Sequence, residues 1–91
     1  MHERVFASDI TRTLTARRHP SSTTGPTWRP GHRVAQASPR TARLWHDGPD
    51  EPRHLDQYAG ALRAAGYTVT PEHAAGRRPA LRITRQAADN D

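Results

Sequence analysis

The densest run of metal-capable side chains is His46-Asp47-x-x-Asp50-Glu51-x-x-His54, two imidazoles and three carboxylates within nine residues. Such groups are the usual ligands of divalent cations. Their spacing argues for a different use. The pairs straddle a Gly48-Pro49 turn instead of standing at i and i+4 on one helix face, and each carboxylate has a simpler role as turn former or helix cap. The run is assigned to turn and cap chemistry, with no metal and no cofactor.

Nucleophilic chemistry finds no better support. Ser8, Ser21, Ser22 and Ser38 lie in weakly patterned sequence, and no motif sets a base beside any of them. A short chain with one clear helix also offers little concave volume for a substrate, so the expectation is a non-enzymatic protein. The remaining candidates are Arg43, Trp45 and Arg82 on alternating strand positions, with Arg77 and Arg78 in a loop. An exposed indole among guanidinium groups can stack bases and hold phosphates, or meet a protein partner. The net charge of +5 rests on 14 cationic side chains, every one an arginine. Guanidinium suits phosphate recognition, but the accompanying Ala, Gly and Pro bias is that of GC-rich codons, which favour Arg over Lys whatever the function.

These residues are positioned by a recognisable set of elements. Asp50 is expected to cap a helix from about Glu51 to Ala65, with Pro52 tolerated in the first turn. Leu55, Tyr58, Ala59, Leu62 and Ala65 form one apolar stripe on it, and Gly60 within the helix suggests a close contact. Gly66 supplies a left-handed stop, and Tyr67 follows where it can fold back on Leu62. Tyr67 and Val69 then alternate with Thr68 and Thr70, and Leu81 and Ile83 with Arg82 and Thr84, which reads as a hairpin. Upstream, Arg33–Ala37 and Thr41–His46 flank a Ser38-Pro39-Arg40 turn and read as another. The fold class is α+β: a small ββαββ-like domain, one helix on a short, mainly antiparallel sheet.

The domain is placed at residues 32–86, with a frayed tail over 87–91. Residues 1–31 are assigned to a largely disordered arm and linker, with a short helix over about 8–18 carried by Phe6, Ile10 and Leu14 and capped by Ser8 or Asp9. Trp28, alone in a proline-rich linker, is expected to dock on the domain.

The pattern Leu44-Trp-His-Asp-Gly-Pro-Asp-Glu51, then Leu55-x-x-Tyr58-x-x-x-Leu62-x-x-Ala65-Gly-Tyr-x-Val69, then Arg78-Pro79-x-Leu81-Arg82-x-Thr84, resembles a group of short proteins of high-GC actinobacteria. It covers about the C-terminal half of the chain. The resemblance supports the domain boundary and brings no activity or site residues with it.

With 91 residues, 33% hydrophobic side chains and no cysteine, the chain allows one thin-cored domain without disulfides. It lacks the long apolar run of a membrane span or secretory signal, so a cytoplasmic protein is expected. Two partner classes stay open. A protein partner or second copy can be met by the Trp45 face or by an exposed strand edge at Arg33–Ala37 or Ala80–Arg85. Nucleic acid can be gripped by Arg43, Trp45, Arg77, Arg78 and Arg82.

Overall fold

The computed structural model describes residues 4–22 and 29–85. Two hairpins flank a helix. β1 (Gly31–Ser38) pairs with β2 (Thr41–Asp47), α2 (Glu51–Ala64) follows, and β3 (Tyr67–Glu72) pairs with β4 (Ala80–Arg85); α1 (Ala7–Ala16) precedes them all. The sheet order is β1-β2-β4-β3, and all three strand pairs are antiparallel. The expected α+β, ββαββ-like architecture is the one observed. β4 therefore lies inside the sheet, between β2 and β3, which corrects the expectation that Ala80–Arg85 offers a free edge. A short hairpin brings β4 back against β3, and its Leu81 and Ile83 are buried only if β4 also meets Leu44 and Ala42 of β2.

Directly opposed residues of an antiparallel pair share a face. The pairs His32↔His46, Val34↔Leu44, Ala42↔Ile83, Leu44↔Leu81 and Val69↔Ile83 thus build one side of the sheet. Both helices cover that side, and Leu55, Tyr58, Ala59 and Leu62 of α2 meet it in the expected stripe. Ala65 is the exception, lying exposed at the C-cap of α2. Each fully buried aliphatic or aromatic side chain here contributes roughly 1.5–3 kcal/mol.

Residues 4–22, assigned from sequence to an arm, put Val5, Ile10 and Leu14 into the same core. The physical reason is coverage: α2 alone leaves β1 and the near end of β2 bare, and α1 lies over β1 beside α2. Gln36 of β1 fixes the start of α1. Its Oε1 accepts the Ala7 amide at 2.9 Å, and its Nε2 donates to the Val5 carbonyl at 2.5 Å. Neither Ser8 nor Asp9 stands at the cap, which is Phe6; Asp9 pairs with Arg12 at 3.2 Å. Trp28 lies outside the described residues, as do 87–91.

The turn into α2 departs from expectation in a similar way. Asp50 adopts a left-handed backbone, φ 59°, and makes no cap hydrogen bond; its carboxylate pairs with Arg53 at 3.2 Å. At the other end, Gly66 ends the helix at φ 99°, and Arg63 donates to the Val69 carbonyl at 2.9 Å, tying the last turn to β3. No helix among the described residues is long and apolar enough to cross a membrane.

Two glycines give opposite expectations. A Cβ at Gly60 would meet nothing within 4 Å, so the close contact expected there is absent and the helix carries the glycine's entropic penalty alone. Gly60→Ala should raise stability by about 1 kcal/mol, several degrees in Tm. A Cβ at Gly31 would fall 2.4 Å from the Pro20 carbonyl oxygen, and backbone there has little freedom to yield. Gly31→Ala should lower stability by about 1–3 kcal/mol, read as a lower urea midpoint at unchanged slope.

Candidate functional site

The uncovered side of the sheet carries Arg33, Ala35, Arg43, Trp45, Thr68, Thr70 and Arg82, because these positions alternate with the core positions on each strand. Arg43 and Arg82 stand directly opposite one another. The Arg33 guanidinium lies 4.7 Å over the Trp45 ring. Beside them, the β3–β4 loop rises to form the far wall of a depression of about 800 Å³ lined by Arg43, Trp45, Glu72, Arg77, Arg78 and Ala80, among others. Four of the five residues singled out from sequence line it; Arg82 does not, and stands opposite Arg43 on the neighbouring strand.

The arginines are not equally available. Glu72 holds Arg43 at 3.1 Å and Arg82 more loosely at 3.8 Å. Arg78 is saturated: it reaches Asp47 at 3.1 Å, Glu51 at 2.9 Å and the His46 carbonyl. These bonds, first to Glu51 and then to Asp47, push its pKa above the usual arginine value. Arg77 differs, since no side-chain partner for its guanidinium stands among the described residues.

Asp47 organises the neighbouring corner. Its carboxylate accepts from Ser22 Oγ at 2.7 Å, Arg33 Nε at 3.0 Å and Arg78 Nη1 at 3.1 Å. Burial works to raise its pKa, but the bonds from Ser22, Arg78 and Arg33 outweigh it and hold the carboxyl below its ordinary value. Asp47 and Glu51 are thus committed to cations of the chain itself, and Asp50 faces Arg53.

The histidines of the same run enter a separate cluster on the helix side. His46 and His54 stack with ring centroids 3.9 Å apart and planes only 6° from parallel. Nitrogen lone pairs lie in the ring plane, so two stacked imidazoles cannot converge on one ion at about 2.1 Å. No group of three or more metal-ligating side chains with a suitable arrangement occurs among the described residues. Tyr58 sits at the centre instead. His46 Nδ1 meets its hydroxyl at 2.7 Å, and the rings of His19 and His32 approach edge-on at 5.3 and 6.0 Å. Burial, and then the charge of Asp47, push the Tyr58 phenol up to about 12. That disfavours a phenolate and with it a role as nucleophile.

Three residues that position these groups escape sequence reading. Ser22 sits in the proline-rich linker, His32 stands just before the strand read from sequence, and Gln36 lies within that strand with nothing local to mark its role; each is explained only by a partner between 10 and 31 residues away. For His32 a faint signal existed in strand alternation with Val34. The chain matches no protein-family model, no curated protein and no solved structure.

The His46–Tyr58 contact is open to direct measurement. His46 is 2% exposed and its Nε2 has no hydrogen-bond partner among the described residues. Tyr58→Phe leaves Nδ1 unpaired as well, so it should destabilise the domain by about 1–3 kcal/mol in urea unfolding although only one oxygen is lost.

Proposed function

We propose that the protein is a small non-enzymatic binding module that takes an extended acidic segment of a partner protein along the open side of its sheet. The observation that carries this reading is the depression lined by Trp45 and Ala80, in which Arg77 has no side-chain partner among the described residues while Glu72 holds Arg43, and Asp47 and Glu51 hold Arg78. An aromatic floor offers apolar contact area, and an arginine without a partner offers a bidentate site for an incoming carboxylate.

Size favours a segment over a second folded surface. Four strands of about six residues present roughly 400 Å², whereas a stable interface between folded partners buries about 800 Å² on each side. A strand-like segment needs only the depression and its rim. Charge favours acidic protein over nucleic acid. Asp47, Glu51 and Glu72 already engage Arg33, Arg43, Arg78 and Arg82. A regular chain of phosphates needs several uncompensated cations in a row, whereas a segment with one well-placed carboxylate and an apolar neighbour needs only Arg77 and the Trp45 ring.

The test uses the Trp28→Phe protein, so that emission reports Trp45 alone, titrated with a peptide of alternating glutamate and aromatic residues. The expected result is a saturable change in emission, weakened about three- to tenfold by Arg77→Ala, as for loss of one charge-assisted hydrogen bond. Trp45→Ala, read by peptide anisotropy, should abolish binding. A single-stranded oligonucleotide that binds more tightly, with a salt slope of about two or more, would replace this reading with a nucleic-acid one. A sedimentation mass of two chains at high concentration, lost with Trp45→Ala, would replace it with self-association.

A further inference from the structure

Four imidazoles, those of His19, His32, His46 and His54, surround Tyr58. They come from four different places: the segment after α1, β1, β2 and α2. His32 is 0% exposed, and neither of its ring nitrogens makes a well-formed hydrogen bond among the described residues, although the carbonyls of Pro20 and His19 lie close enough to act on the ring. A buried imidazole so weakly partnered is a poor choice for stability, since a leucine would fill the space without an unmet polar group. Nothing in the binding reading above uses these residues.

The groups facing the cluster give it little means of holding positive charge. From α1 and its extension come Arg17 and Arg18, both cationic. From β2 comes Asp47, already taken by Ser22, Arg33 and Arg78, and from the start of α2 comes Glu51, taken by Arg78. His19, His32 and His46 all have pKa values below the ordinary 6.5, in each case first through burial. For His19 the charges of His54 and Arg17 add to this, and for His46 that of His54; the carbonyls of Pro20 and His19 work the other way at His32, as do Pro49, Asp47 and Glu51 at His46.

One element can relieve the strain of protonation by itself. The strap Arg17–Ser22 joins α1 to the domain, begins with Arg18 in the left-handed region at φ 68° and is held to β1 by His32 N to Pro20 O and Ser22 N to His32 O, both 2.9 Å. Lifting the strap hydrates His19 and His32 together. It leaves both hairpins and the seat of α2 on β3 and β4 in place.

We propose that the histidine cluster is an acid-sensitive latch: protonation lifts the strap Arg17–Ser22 and frees α1 from β1 and α2, while the four-stranded sheet and α2 stay folded. The direction follows from linkage. A histidine whose proton affinity is lower in the closed state takes up its proton on opening, so closure is favoured fully above about pH 6.5 and loses ground as pH falls through that value toward the closed-state pKa.

Hydrogen exchange on the full chain at pH 7.5 and pH 5.0, corrected for intrinsic rates, tests this. The expected result at pH 5.0 is at least a tenfold loss of protection over residues 7–22, with Leu55–Leu62 and Leu81–Ile83 retained. Uniform loss across all elements would mean global acid unfolding and would overturn the latch, as would unchanged protection. Because His32 and His46 are fully buried and their variants risk misfolding, the control is H19Q, at a half-buried position on the strap itself. It should open at lower pH than the parent; an identical pH profile would also overturn the proposal.

Discussion

The carboxylate of Asp47 is the interaction on which the rest of the arrangement depends. It stands at the end of β2 and accepts from Ser22 of the strap, Arg33 of β1 and Arg78 of the β3–β4 loop. The β3–β4 loop is thereby fixed to the same pair of oxygens as the strap and β1, which already bond to each other. With its side chain only 14% exposed, the pair of oxygens is screened little by solvent, and charge-assisted bonds of this kind contribute more than exposed surface pairs, roughly 1.5–3 kcal/mol each at best. Arg78 then carries the fixation onward to Glu51 at the start of α2. The corner is a linked set of ion pairs around a strand end, and the wall of the open-face depression stands on it.

That linkage also sets the character of the open face. Composition suggests a strongly basic surface, but most of its guanidinium groups complete the structure before they meet a partner. Arg78 is a structural residue at the edge of the open face, and Arg43 and Arg82 share Glu72. What remains for the proposed partner is narrower: Arg77, the exposed part of Trp45 beside Arg33, and the groove between them. A ligand that displaced Glu72 from Arg43 would gain a second guanidinium while freeing a carboxylate, so ligands with paired acids and a planar group fit better than a uniform polyanion.

Much of the architecture was legible because it is local. The stripe of Leu55, Tyr58, Ala59 and Leu62, the stop at Gly66 and the alternation of Tyr67, Val69, Leu81 and Ile83 each follow from neighbours within a few residues, and all are found in place. What was not legible depends on distant chain. Ile10 and Leu14 are spaced for a helix, but only the bare face of β1 and the side chain of Gln36, 29 residues beyond Ala7, make that helix part of the core. The run from His46 to His54 was read as one polar cluster, whereas strand and helix geometry sends its carboxylates toward arginines and its imidazoles toward Tyr58. Sequence proximity grouped side chains that the sheet separates.

The same register explains why four histidines meet. Pairing of His32 with His46 across β1 and β2 places two imidazoles on the core side at the end of the apolar layer formed by Val34, Leu44 and Leu81. α2 sets His54 over the second of them, and the strap brings His19 edge-on to Tyr58 beside them. A one-residue slip of β1 would turn His32 to solvent and Arg33 into the core. Arg33 would then leave Asp47 and the Trp45 ring, so the register that buries the histidines is held by the contacts on the opposite side of the sheet. The polar end of the core and the open face are therefore two sides of one constraint, and a change that loosens the Asp47 corner reaches both.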